Sequence, residues 1–341
     1  MTTAFRARAR AAVLSALLAA LLASPAPAAR AAENGEWSVY PAASELGSRP
    51  YFYLTAEPGS TLTDRITIGN KTAAPLTFRL YAADAYNTER DGGFAVRAPD
   101  EQQRGIGAWA RPERERVTVP PRSSVTVGYA LTVPDGAEPG DHPGALVALD
   151  ERVGRLGGDV ALGVQQAVGA RVYLRVKGPA VPALSVEDVT LSQDRPLLPG
   201  AGEASAVISY TLHNRGNVTL NPRVALKAEG LFGRDLLARE LRKVPSELLP
   251  RQKIRLTERW RGSPQADWGE IRLTARAEDV RESAVVSFFA LPWLLAAVAA
   301  VLLGGGGAWA RTRLRARGSA VRGTADTGAA GISDNERHER A

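Results

Sequence analysis

From Val285 to Ala310 the chain runs for 26 residues without a charged side chain, and Arg311, Arg313, Arg315 and Arg317 follow at once. At ~1.5 Å per helical residue such a run crosses a ~30 Å hydrocarbon core with some tilt. Trp293 and Trp309 stand near its ends, where indole rings favour the lipid–water interface. Short Arg-rich flanks stay cytoplasmic, whereas Glu278, Asp279, Arg281 and Glu282 ahead of the run carry no basic excess. The pattern predicts one transmembrane helix over 285–310 with the C-terminus inside the cell. The tail over 311–341 is polar and low in apolar content, and is expected to be a disordered cytoplasmic segment whose basic start holds anionic headgroups.

The other end of the chain agrees with export. Arg6, Arg8 and Arg10 precede an apolar run from Ala11 to Ala23, followed by Ser24-Pro-Ala-Pro-Ala-Ala29. A basic start, a short apolar stretch and a small-residue exit predict a secretory signal peptide over 1–32. The expected protein is a type I single-pass membrane protein that displays residues 33–284 outside the cell. Arg outnumbers Lys 38 to 5, a bias of GC-rich bacterial coding sequence.

The formal net charge of +7 suggests nucleic-acid binding only until the charge is located. Residues 1–32 carry +4, residues 311–341 carry +3, and the stretch between has 32 basic and 32 acidic residues. A nucleic-acid module concentrates basic charge on its folded part, so no nucleic-acid partner is expected. The absence of cysteine excludes disulfides, thiolate zinc sites and thiol catalysis.

Between the flanks, short alternating runs are separated by Pro, Gly, Asn and Asp, the mark of an all-β fold. In Val125–Val133, Val125, Val127, Tyr129, Leu131 and Val133 share one face. Pro120-Pro121-Arg122-Ser123 is expected to join this strand to Val117–Val119 as a hairpin. Strands over 51–55, 62–69, 76–86, 94–97, 145–153 and 168–176 complete a first sandwich. Lys177–Pro182 breaks the pattern as a linker, and strands resume over 184–191, 204–214, 222–229, 237–243, 254–260, 271–277 and 283–286. The prediction is two tandem immunoglobulin-like β-sandwich domains, 33–178 and 179–284, plus the C-terminal transmembrane α-helix. A strand followed by Asn, a basic residue and a small residue occurs in both blocks, at Asn70-Lys71-Thr72 and Asn214-Arg215-Gly216. Asn tolerates a left-handed backbone, and convergent turn chemistry and duplication both account for the pair.

Chemistry-bearing motifs are sparse. His142, His213 and His338 lie far apart, without metal spacing. There is no Ser-x-x-Lys, Gly-x-Ser-x-Gly or phosphate loop; a paired-carboxylate hydrolase needs no motif beyond two placed acids, but nothing marks such a pair, so no enzyme and no cofactor is expected. Asn87, Glu89, Asp91 and Gly92 begin a calcium-loop spacing, but Ala98 stands where the bidentate Glu belongs, which leaves a polar strand-connecting loop. Aromatic side chains concentrate in the first block. Tyr51 and Tyr53 point one way and Phe52 and Leu54 the other, so one set faces water or a partner. Rings with polar tips suit sugar faces and protein interfaces alike. The candidate ligand-binding residues are Trp37, Tyr51, Tyr53, Tyr86, Asn87, Asp91 and Trp109.

Several segments together resemble the WxL-interacting protein family of Gram-positive bacteria. They are Trp37-Ser-Val-Tyr-Pro41, Tyr51-Phe-Tyr-Leu54 with Glu57-Pro-Gly59, Ile66–Lys71, Asp84–Phe94, Val133–Gly140 with Asp141-His-Pro-Gly144, and Gly169–Val176. The match spans roughly 37–178, and the second block and terminal helix are similar to that family's layout. The resemblance implies a peptidoglycan-binding first domain, a partner-binding second domain and a place in the cell-wall space. The expected function is non-catalytic binding of peptidoglycan or another cell-wall glycan. The alternative is a protein–protein scaffold of a surface assembly, with another surface protein as partner. In both, one helix meets the lipid bilayer.

Overall fold

The computed structural model describes residues 32–44, 47–152, 154–155, 163–196, 202–290 and 293–323. The expected signal peptide, except for its last residue, lies outside them. The described chain is mostly strand, and its strands pack around two main hydrophobic cores.

The first core is enclosed by two sheets. One has the order β1-β2-β4-β9-β7, formed by β1 (Ala32–Glu33), β2 (Trp37–Pro41), β4 (Thr61–Asn70), β9 (Ser124–Thr132) and β7 (Ala110–Pro112). The other runs β3-β13-β10-β5-β6, with β8 also on β5. Its members are β3 (Phe52–Ala56), β13 (Ala167–Val176), β10 (Gly140–Asp150), β5 (Leu76–Asn87), β6 (Phe94–Val96) and β8 (Arg116–Val119). A short ladder joins β11 (Gly154–Arg155) to β12 (Gly163–Val164), and one helical turn, α1 (Ile106–Trp109), precedes β7. Val127, Tyr129 and Leu131 of β9 alternate inward as their spacing predicts, against Phe52, Phe78 and Val172 of the opposite sheet.

The second core lies between a sheet of order β14-β15-β18 and one of order β17-β16-β19-β20. These strands are β14 (Leu184–Asp194), β15 (Ser205–Asn214), β16 (Arg223–Glu229), β17 (Asp235–Glu240), β18 (Lys253–Arg261), β19 (Asp267–Ala277) and β20 (Val280–Ala290). The final element is the helix α2 (Trp293–Gly323).

The two sandwiches share one plan. In chain order, β2, β4, β5, β8, β9, β10 and β13 occupy the places of β14 through β20. Each sandwich thus has a three-strand sheet (β2-β4-β9, β14-β15-β18) facing a four-strand sheet (β8-β5-β10-β13, β17-β16-β19-β20). The repeated Asn marks equivalent corners. Asn70 Nδ2 donates to Ala74 O at 2.8 Å and to Val119 O at 3.1 Å, and its Oδ1 accepts from Thr72 N at 2.9 Å. Asn214 Nδ2 donates to Val218 O at 2.7 Å and Leu248 O at 2.9 Å, and its Oδ1 accepts from Gly216 N at 3.0 Å. Both side chains are buried clamps that close the turn; Asn70 ties it to β8 of the facing sheet, and Asn214 ties it to Leu248, which bridges to Leu220. Neither Asn is among the residues of positive φ, so the clamp, rather than a left-handed backbone, is the reason for Asn at this corner.

Three expectations are corrected. Val117–Val119 and Val125–Val133 do not form a hairpin. β8 ladders to β5 in one sheet and β9 to β4 in the other, so Pro120–Ser123 crosses between sheets. Pro120 and Pro121 have no N–H to give a ladder, and the carbonyls of Val119 and Pro120 are held by Asn70. The uncharged run does not begin as a span, because residues 285–290 complete β20. Val286, Phe288 and Ala290 turn inward and Val285, Ser287 and Phe289 outward. The period of two escapes notice because both faces are largely apolar. Finally, helix continues through Arg311 to Gly323, the first part of the tail expected to be disordered, while residues 324–341 of that tail lie outside the described residues. Alternating Arg, Ala and Leu favour helix, and the Arg313 guanidinium lies 4.3 Å from the Trp309 ring one turn earlier. Among the described residues, no helix is long and apolar enough to cross a membrane.

Candidate functional site

β3 is the outer strand of its sheet and, among the described residues, ladders to β13 alone. It is an addition to the shared seven-strand plan, with no counterpart beside β20 among the described residues. The pairing is parallel and sets Tyr53 directly opposite Tyr173. Phe52 enters the core, so Tyr51 and Tyr53 are left on the outer face. The Tyr53 and Tyr173 rings stack at 5.3 Å with planes 12° apart. Tyr51 meets both edge-on, at 6.2 and 5.8 Å, and Phe94 of β6 lies 6.3 Å from Tyr173. Tyr53 remains 68 % exposed, so one ring face is free for a ligand.

A polar group underlies these rings. The Arg171 guanidinium sits 4.2 Å from the Phe94 ring and 5.5 Å from Tyr51. Arg171 donates to the Tyr173 hydroxyl at 3.1 Å, and that hydroxyl donates to Glu247 at 2.9 Å. Glu247 belongs to the second sandwich, so both sandwiches build the site. Burial pushes the Tyr173 hydroxyl up to about 12 and raises Tyr53 as well. Both phenols therefore stay protonated donors at neutral pH. The arrangement offers a flat aromatic surface, hydroxyl donors and an open backbone edge, which are means of binding.

The other candidates from sequence fall elsewhere. Trp37 is corrected: it is fully buried, 5.3 Å from Phe78, and cannot offer a face to a ligand. Asn87 is also spent. Its Nδ2 donates to Gly92 O and Glu247 O, both at 2.8 Å, and its Oδ1 accepts from Leu249 N at 2.8 Å. Asp91 closes its own turn, accepting from Thr88 Oγ1 at 2.5 Å and Gly93 N at 3.1 Å. With those oxygens so engaged, the loop is the polar connection its sequence suggests. The described residues contain no group of three or more His, Asp or Glu poised for a metal. Tyr86 is half-buried beneath Arg97, 5.8 Å from its ring, and Trp109 packs on His142 at 4.7 Å. Neither joins the Tyr51–Tyr53 group. Sequence gives no sign of Tyr173, Arg171 and Glu247, because their approach depends on long-range pairing, which leaves no local spacing to read.

A cleft of about 440 Å³ opens between the sandwiches, lined by Asp84, Arg97, Arg104, His142, Asn217 and Arg251 among others. Its acids are already engaged. Asp84 accepts from the backbone N–H groups of Arg104, Gly105 and Gly107, and Asp141 from Arg175 and from Thr219 N at 2.8 Å. Glu138 pairs with Arg251. Asn217 Nδ2 donates to Pro139 O at 2.9 Å. The Asp141–Thr219, Glu138–Arg251 and Asn217–Pro139 contacts join the two sandwiches, so the cleft is a joint.

No family model and no curated protein matches the chain. Among solved structures it is similar to the YadV chaperone, with a TM-score of 0.33 and 9% identity over 74% of this chain and 100% of that one. It is similar to a chaperone–tip adhesin complex of CFA/I fimbriae biogenesis, with a TM-score of 0.32 and 8% identity over 75% of this chain and 99% of that one. The CupB2 chaperone of Pseudomonas aeruginosa gives a TM-score of 0.27 and 11% identity over 71% and 97% of the two chains. At these scores the likenesses carry no argument about function, and the topology above rests on the ladders themselves.

Proposed function

We propose that the protein is a non-catalytic binding protein of the cell surface, anchored by the uncharged segment that follows β20, and that it engages a protein partner at the β3 edge. The observation that carries this reading is the Tyr51–Tyr53–Tyr173–Phe94 group, gathered from β3, β13 and β6 beside the edge strand β3. Edge strands accept a further strand through their free N–H and C=O groups, and flanking side chains supply specificity. Tyrosine is enriched where proteins meet. The loss of Trp37 and Asn87 from the candidate set removes much of what a glycan platform needed from the first block. The anchor and its orientation rest on sequence: the run from Leu291 to Ala310 has no charge, and arginines follow it.

A glycan ligand, the expectation carried by the WxL-interacting resemblance, is the second reading. It is favoured by one feature, the parallel Tyr53–Tyr173 stack with an open ring face. Co-sedimentation of the full chain with cell walls separates the two. The protein-partner reading expects pelleting with native walls, its loss when the walls are stripped of protein by protease, and weakening by at least tenfold in Tyr53→Lys. Undiminished pelleting with stripped walls would instead establish the glycan. Failure to pellet with either would remove both.

A further inference from the structure

The second sandwich has a distinct apolar end. Trp268 of β19 and Phe289 of β20 are directly opposite in register, so their side chains share a face. They are 52 % and 55 % exposed. At the same end of the sheet, the turn Leu231–Gly233 leaves Phe232 97 % exposed. Phe232 has φ 59° and Gly233 φ 74°, two left-handed residues in succession, a conformation disfavoured for a bulky side chain. The turn is nevertheless held. The buried Asp267 carboxylate accepts from Leu231 N at 2.9 Å, Trp268 N at 2.8 Å and Arg234 at 2.6 Å. Gly269 lets β16 come close, since a Cβ there would lie 1.9 Å from Glu229 O. A fixed turn that points a phenylalanine wholly into solvent serves no core.

The location of this end supplies the occupant. β20 finishes at Ala290, one residue past Phe289, and α2 begins at Trp293. The joint with the first sandwich lies at the opposite end, where Thr219, Glu247 and Leu249 meet it. Arg195 donates to the Phe289 carbonyl at 3.5 Å and Arg234 is largely exposed, so two guanidinium groups flank the rings. Aromatic rings bordered by arginine match the headgroup level of a bilayer, where rings enter the interface and cations meet phosphate.

We infer that Phe232, Trp268 and Phe289 form a foot that seats the second sandwich in the outer lipid interface, beside the point where the chain enters the membrane. This inference rests on the anchor proposed above. The foot fixes the height and tilt of the second sandwich and, through the joint, how far the β3 edge stands from the bilayer.

The chain has no cysteine, so a nitroxide can be placed at single sites. Full-length Phe232→Cys and Phe289→Cys, with Thr63→Cys on the exposed face of β4 as reference, are labelled and reconstituted in phosphatidylcholine–phosphatidylglycerol vesicles. Collision rates with oxygen and with a water-soluble nickel chelate are then read. The foot predicts an oxygen-to-nickel ratio several-fold higher at 232 and 289 than at 63. A chain that resists carbonate extraction but shows equal ratios at all three sites overturns the foot and spares the anchor. A chain that carbonate releases overturns both.

Discussion

Asn214 is buried completely, and its amide closes hydrogen bonds to Val218, Leu248 and Gly216. Asn214→Ala orphans all three backbone groups, and leaving a buried polar group unpaired costs about 1–3 kcal/mol. The expected destabilisation of the second sandwich is about 3 kcal/mol, read from the urea midpoint of the full chain in detergent. A second residue sets a pH response. Glu187 is held down to about 2, first by the hydrogen bond from His213 (3.0 Å), then by Ser185 (2.7 Å) and Lys253 (3.2 Å). A carboxyl depressed in the folded state stabilises fully above its unfolded value and loses that contribution as pH falls through the folded one. Thermal midpoints should therefore drop between about pH 4.5 and pH 2, and Glu187→Gln should flatten this part of the curve. Trp37 shows the limit of reading single residues. Four of the five residues of β2 are buried, so no alternation betrays which way the ring points.

At the scale of elements, strands with one polar face were legible. β9 and β15 fall where their alternation puts them. β20 is longer than its sequence pattern suggests because both its faces are apolar, and the β8–β9 connection has the look of a hairpin in sequence because neighbouring strands usually pair. The outward set at the start of β3 is also legible, as Tyr51, just before the strand, and Tyr53 alternate with Phe52. Its completion by Tyr173 is not, since a parallel partner more than a hundred residues away leaves no trace in local pattern. The close approach of β16 to β19 gives a test at this scale. Gly269→Ala places a methyl group against the Glu229 carbonyl, and overpacking of this kind costs typically about 1–3 kcal/mol. Hydrogen exchange should rise in 229–235 and 267–270 and stay unchanged in the first sandwich.

The whole molecule is a series of parts: aromatic foot, second sandwich, joint, first sandwich. The joint is polar and specific. Asn87 bonds the backbone of Glu247 and Leu249, and Asn217 that of Pro139 and Pro179. Asn87→Ala should free the hinge, which spin labels at Thr63→Cys and Phe232→Cys would report as a broader distance distribution by double electron–electron resonance. Because Glu247 crosses the joint to the Tyr173 hydroxyl, the same loosening should weaken binding at the β3 edge. That edge is where the account is most directly tested. With p-benzoylphenylalanine in place of Tyr53, irradiation of cells carrying the full chain should give one discrete protein adduct, absent when the same group replaces Thr63. No adduct at position 53, or the same adducts at both positions, would contradict a partner-binding edge.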